Sequence, residues 1–195
     1  MKSNFELLKK IKGRSAKVCV IGMGYVGYPL YEVIKKNKFS VYGLEIDKNK
    51  IRQLKKKNKI NVSSNYKLIN QSDIIIFALP TPLNQKKNPD LSILKNSIRK
   101  SFKFFKKGQL VIVESTSYPG TTKECLKQVI KKFDIGKNFF ISYSPERIDP
   151  GNKNFDVKNI TKIISGYTDT CLNLSNNFYK IICNLTVKAS NIETA

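Results

Sequence analysis

Three glycines and one acid constrain this chain more than anything else in it. Residues 20–28 read Val-Ile-Gly-Met-Gly-Tyr-Val-Gly-Tyr, and Glu45 stands 18 residues past the last of those glycines. Lys17–Ile21 is a short apolar run that reads as a buried strand. Gly22, Gly24 and Gly27 then give G-x-G-x-x-G spacing where a strand should turn into a helix. Gly22 permits a tight turn, Gly24 leaves room for a phosphate to approach the backbone, and Gly27 lets the helix pack closely on the strand. Val41–Ile46 reads as a second strand with Glu45 near its end.

A strand before, a helix after and an acid at this distance together predict a dinucleotide cradle. Its candidate residues are Gly22, Gly24, Tyr25, Val26, Gly27 and Glu45. The N–H groups and dipole of the helix start would face a pyrophosphate. A carboxylate at Glu45 would accept hydrogen bonds from ribose hydroxyls and repel a 2′-phosphate, which favours NAD over NADP. On spacing alone the alternative is a turn that only packs a helix against a strand.

With 195 residues the chain has length for one α/β domain. No run reaches the ~18 apolar residues of a membrane span. Met1–Lys12 is Lys-rich and amphipathic without the apolar centre of a signal peptide, so a cytoplasmic location is expected. The four cysteines show no metal-ligand spacing, and no metal site is expected. There is no histidine, so acid–base chemistry falls to carboxylates, lysines or ordered water. The net charge of +22 invites a nucleic-acid reading. It is disfavoured because the basic residues are nearly all lysine and lie on every predicted helix, whereas base readers concentrate arginine on one face. A solvated lysine coat that helps attract an anionic nucleotide fits better.

Apolar runs alternate with helical segments along the chain. That predicts an α/β, Rossmann-type doubly wound and mainly parallel sheet with helices on both faces, spanning 1–195. Further strands are expected at Asp73–Leu79, Gln109–Glu114, Phe139–Tyr143, Ile160–Gly166 and Leu185–Lys188, with a short one within Asn58–Tyr66. Helices are expected at about Lys48–Lys57, from an Asp90 cap to about Lys103, at Thr121–Lys132 and at Asp169–Ile181.

Ligands of open α/β sheets bind beyond the carboxyl ends of the strands. Leu79-Pro80-Thr81-Pro82, Glu114-Ser115-Thr116 and Ser144-Pro145-Glu146-Arg147 fall there. Such loops suit alcohol oxidation, in which a base must take the hydroxyl proton as hydride leaves carbon. Glu146 is the best-placed carboxylate, and Thr116 can orient a water or hydroxyl. The competing assignments are a rigid Pro-Thr-Pro loop, a helix cap at Thr116 and a surface pair between Glu146 and Arg147.

Several motifs in order now point one way: Val20–Gly27, Gly43–Asp47, Ala78–Leu83, Glu114–Thr122 and Tyr143–Asn152. With them the chain resembles, over nearly its whole length, the N-terminal part of the UDP-glucose/GDP-mannose dehydrogenase family. Pro89–Ser92 and Ser144–Asn152 look like the branch acting on UDP-N-acetylhexosamines, which favours UDP-N-acetylglucosamine or its galacto epimer over UDP-glucose. The resemblance implies NAD as cofactor, a UDP-sugar substrate and a four-electron oxidation of the C6 alcohol to a carboxylate with two NAD⁺. A cysteine forms a thiohemiacetal and then a thioester along that route. It also implies that Thr116 and Glu146 position and activate water, that Pro80, Thr81 and Thr116 lie near the nicotinamide, and that the full-length form is a homo-oligomer. The family's nucleophilic cysteine lies beyond the end of this chain, so binding of NAD without turnover is expected. A helix starting near Glu193 would link the two halves, and its loss would leave an apolar patch. The alternatives are a non-catalytic NAD-binding module or degenerate relative, a nucleic-acid-binding protein, and a hydroxyacid dehydrogenase, whose strand-end motifs differ.

Overall fold

The computed structural model describes residues 2–58, 60–146 and 161–195. Its elements are α1 (Lys2–Lys12), β1 (Lys17–Ile21), α2 (Gly27–Lys36), β2 (Ser40–Leu44), α3 (Lys48–Asn58), β3 (Val62–Ser63), α4 (Leu68–Gln71), β4 (Ile74–Phe77) and α5 (Ser92–Ser101). They continue with β5 (Leu110–Val113), α6 (Thr121–Cys125), α7 (Lys127–Lys132), β6 (Phe140–Tyr143), β7 (Lys162–Gly166), α8 (Asp169–Ile182) and β8 (Thr186–Lys188). A 3₁₀ turn, Phe102–Phe104, extends α5.

The strands form one sheet in the order β3-β2-β1-β4-β5-β6-β7-β8. Pairing is parallel from β3 to β6, antiparallel between β6 and β7, and parallel again between β7 and β8. The α/β, doubly wound expectation is met. Chain order reverses between β1 and β4, which opens a crevice at their carboxyl ends.

Side-chain alternation explains why the sheet is covered on both faces. Val18, Val20, Ile74, Ile76, Leu110 and Ile112 point to one core, which α1, α2 and α8 close with residues such as Ile11, Leu30 and Phe178. Cys19, Ile21, Ile75, Phe77, Val111 and Val113 point to the other, closed by α4, α5 and α7 through Ile69, Leu94, Ile98 and Val129.

Several boundaries differ from the sequence reading. β2 ends at Leu44 rather than at Ile46, because the Glu45 carboxylate accepts hydrogen bonds from the N–H groups of Ile46 and Asp47 and turns the chain out of the ladder. The expected helix Thr121–Lys132 is two helices with a break at Leu126 (φ −97, ψ 13), a residue wholly buried in the second core. β4 stops at Phe77, two residues short of Leu79. Ile160, the expected start of β7, lies outside the described residues. Asp90 accepts from the Ser92 N–H at 2.8 Å but stands one residue before the cap position, which Leu91 holds without a side-chain cap, so the expected Asp90 cap is not formed.

Phe178 on α8 is fully buried and meets Phe39 edge to face at a centroid distance of 5.5 Å. Phe178→Ala should therefore lower unfolding free energy by about 3–5 kcal/mol in urea denaturation. A loss below about 1 kcal/mol would show that α8 does not close the first core.

Candidate functional site

Everything at the β1 end depends on close backbone approach. Gly22 has φ +92, and a Cβ there would lie 2.5 Å from the Ala78 carbonyl oxygen. A Cβ on Gly27 would lie 1.7 Å from the Gly22 carbonyl oxygen. These two glycines let strand, turn and helix pack on one another. Gly24 differs: its nearest protein atom is the Lys50 Nζ, 3.9 Å from an ideal Cβ, and no positive φ requires a glycine there. The chain itself therefore gives Gly24 no packing reason to lack a side chain. The open space is the kind a ligand phosphate fills. Val26, the residue before α2, supplies no side-chain cap, so it brings no oxygen of its own to the first-turn N–H groups.

Beside the turn lies a cleft of about 210 Å³ bordered by Gly22, Glu45, Ile46, Leu79, Ser97 and Lys100, among others. The Glu45 carboxylate accepts from the N–H of Met23 at 3.2 Å, from Ile46 at 2.8 Å and from Asp47 at 3.2 Å. Lys50 of α3 pairs with it at 3.2 Å. Burial alone would push the Glu45 carboxyl up. The Asp47 and Ile46 N–H groups and the Lys50 charge outweigh that and hold it below the usual glutamate value. Glu45 is thus ionised, pinned to the glycine turn and open on its cleft side. Gly22, Gly24, Gly27 and Glu45 are brought together as expected. Val26 packs on the first core, and the Tyr25 side chain is 83 % exposed, so only its backbone faces the turn.

The other candidates gather at the ends of β4, β5 and β6. The Ser115 hydroxyl donates to the Leu79 carbonyl at 2.7 Å and accepts from the Leu79 N–H at 3.1 Å. Thr81 donates to the Thr116 carbonyl at 2.6 Å, and Thr116 donates to the Glu146 carbonyl at 3.5 Å. The Glu146 N–H donates to the Glu114 carbonyl at 3.2 Å. Pro80, Thr81, Thr116 and Glu146 therefore belong to three loops tied edge to edge, with Pro80 at the exposed start of the first. The β1 turn abuts the same loops through Ala78 and Leu79.

Glu146 is not a surface residue. Its side chain is 7 % exposed, and its carboxylate pairs at 2.6 Å with Lys162, the first residue of β7. Arg147, its alternative partner, lies with the rest of residues 147–152 outside the described residues. Lys162 also pairs at 2.9 Å with Glu114, whose other oxygen accepts from the Tyr179 hydroxyl on α8. Burial pushes the Glu114 carboxyl up to about 7, against the opposing pull of Lys162. The sequence reading passed over Glu114 and Lys162 as site residues. Neither carries a local mark: Lys162 opens a strand that also holds Ser165, and Glu114 follows the last residue of β5. Lys50 gave no signal, being one lysine on a lysine-rich helix. The thiols of Cys19 and Cys183 are pushed up to about 12 and that of Cys125 to about 11 by burial, so none of these three is a thiolate at neutral pH.

Comparison with known proteins decides the family. The profile of the UDP-glucose/GDP-mannose dehydrogenase family, NAD binding domain, matches residues 16–63 and 55–183. This chain belongs to that family. Within the UDP-glucose/GDP-mannose dehydrogenase family, it is 35 % identical over 201 residues to a UDP-N-acetyl-D-glucosamine 6-dehydrogenase of Pseudomonas aeruginosa, covering 93 % of this chain and 47 % of that protein. It is 36 % identical to protein CapL of Staphylococcus aureus, covering 91 % of this chain and 46 % of CapL. Among solved structures, an NDP-N-acetyl-D-galactosaminuronic acid dehydrogenase from Methanosarcina mazei superposes with TM-score 0.84 at 26 % identity, over 100 % of this chain and 47 % of that one. The chain spans about half the length of the relatives it matches. What it carries is the family's NAD-binding domain, and the open Gly24 position beside a pinned Glu45 fits that cofactor. Among the described residues, no helix is long and apolar enough to cross a membrane.

The raised Glu114 value has a measurable consequence. The folded state holds a proton that the unfolded chain releases near pH 4.5, the ordinary glutamate value. The stability this confers is complete below about pH 4.5 and is lost as pH rises through about 7. Glu114→Gln should therefore flatten the decline of unfolding free energy between pH 5 and 8 by a few kcal/mol relative to the parent chain, as read by urea titrations. Parallel profiles would show that Glu114 is already ionised at pH 5.

Proposed function

We propose that this chain is the NAD-binding half of a nucleotide-sugar 6-dehydrogenase that oxidises the C6 alcohol of a UDP-N-acetylhexosamine, with UDP-N-acetylglucosamine the favoured substrate. The observation that carries the reading is Gly24, whose missing side chain serves no contact within the protein. The names of the relatives support the substrate class, and the tied loops at the strand ends support the chemistry.

In this reading the glycine turn and the start of α2 hold the pyrophosphate, and Glu45 with Lys50 holds the adenosine ribose. Pro80, Thr81 and Thr116 border the nicotinamide. Bound NAD⁺ supplies the hydride acceptor. Conversion of an alcohol to a carboxylate removes four electrons and adds the oxygen of one water, so two NAD⁺ are consumed. Each oxidation step also needs a proton acceptor and an oriented oxygen. Glu146 and Thr116 are the groups assigned to those tasks. The assembled enzyme is read as a homo-oligomer working in the cytoplasm.

The test is NADH fluorescence titration of the parent chain, Gly24→Val and Gly27→Val at two salt concentrations. Saturable binding by the parent chain should weaken at least about tenfold in Gly24→Val, whose melting temperature should change little because its site is open. Gly27→Val should instead unfold the domain, given the clash with the Gly22 carbonyl. Absence of binding by a folded parent chain would overturn the reading. Binding that vanishes with salt but survives Gly24→Val would assign it to the lysine coat.

A further inference from the structure

The cluster formed by Glu114, Lys162, Glu146 and Tyr179 is the most heavily buried group of ionisable residues described in the molecule. The reading above uses only Glu146 from it. Glu114 and Tyr179 are 0 % exposed and Lys162 is 4 % exposed. Its members come from four separate places: the loops after β5 and β6, the start of β7 and the last turn of α8. A buried ion pair does not generally stabilise a fold relative to apolar residues of the same shape. Two carboxyl groups around one ammonium add to that cost, since ionisation of Glu114 is opposed by burial and by the neighbouring Glu146 charge. Stability therefore gives no reason to place this group between the strand ends.

Geometry gives one. β7 runs antiparallel to β6, so its first residue, Lys162, lies at the carboxyl end of β6 rather than at the opposite edge of the sheet. From there its ammonium reaches Glu146 at 2.6 Å and Glu114 at 2.9 Å. The Tyr179 hydroxyl closes the second oxygen of Glu114, and Lys162 lies 5.6 Å from the centroid of the Tyr179 ring. The ammonium is thereby held between the Glu114 carboxyl, the Tyr179 ring and the Glu146 carboxylate.

We propose that Lys162 is a positioning residue for Glu146, held in turn by Glu114 and Tyr179. The inference rests on the reading of Glu146 as the proton acceptor of the proposed dehydrogenase. Lys162 keeps the Glu146 carboxylate ionised and fixed in direction. Glu114 shares the same ammonium. Among the described residues, Cys183, on the segment after α8, and Tyr143, at the end of β6, are also electrostatically coupled to the cluster. Both are neutral near pH 7, because burial raises each.

Carboxyl-carbon NMR of glutamate-labelled chain, titrated from pH 3 to 9, tests this directly. Glu146→Gln and Glu114→Gln assign the two signals. In Lys162→Met the Glu146 midpoint should rise by at least about one pH unit, since two facing carboxylates lose their shared cation. Lys162→Arg should return it to within about half a unit of the parent value, as charge rather than bulk is what acts. In Glu146→Gln the Glu114 midpoint should fall, because one like charge is removed and Lys162 is left to Glu114 alone. An unmoved Glu146 midpoint in folded Lys162→Met would overturn the proposal. If that variant does not fold, an unmoved Glu114 midpoint in Glu146→Gln would do the same. NADH titration of the same samples keeps the two ideas separate. Loss of binding by the parent chain defeats the functional reading, whereas retained binding with unmoved midpoints defeats only the role of Lys162.

Discussion

The approach of Gly27 to the Gly22 carbonyl is the contact on which the rest of the site depends. No side-chain carbon fits between them. That absence lets α2 start directly over the end of β1, with its N-terminus aimed into the crevice where strand order reverses. The same closeness brings Ala78 and Leu79 against the turn, so the loop after β4 begins where the cofactor cradle ends. Glu45 completes the arrangement from the next strand by accepting the Met23 N–H, which locks the turn to the end of β2. Packing and binding geometry are here the same set of contacts, with Gly24 as the position that packing leaves alone.

A second constraint acts at the other end of the crevice. The reversal of β7 places the start of a strand, not its end, beside the loops after β5 and β6. A buried lysine there can touch two glutamates that are 32 residues apart in sequence, at positions 114 and 146. In a wholly parallel sheet the first residue of each strand lies at the opposite edge, away from ligands. The single antiparallel pairing is therefore what assembles the ionic cluster under the candidate chemistry.

Much of this was legible in the sequence, for identifiable reasons. Short, near-continuous apolar runs bounded by turn residues marked the main strands, and Lys17–Ile21 coincides with β1 residue for residue. Gly22, Gly24, Gly27 and Glu45 were readable because each is demanded locally, by a turn, a close approach or a strand end. The errors occurred where a side chain competes with the backbone ladder or where the core overrides propensity. Glu45 bonding to the next two N–H groups shortens β2, and burial of Leu126 splits the helix after Thr121. Glu114 and Lys162 were hidden because their significance is a contact between remote segments. In a chain with 36 basic residues, one more lysine carries no local mark.

The central claim is that the switch-point crevice, rather than the lysine-coated exterior, receives the dinucleotide. Backbone amide NMR of the labelled chain during NADH addition tests it most directly. Saturable shifts are expected at residues 22–27, at Glu45 and Ile46, and at Leu79, Thr81 and Thr116. Shifts spread over the lysine-rich helices, or centred at the opposite edge of the sheet around Lys10, Lys106 and Gly108, would contradict it.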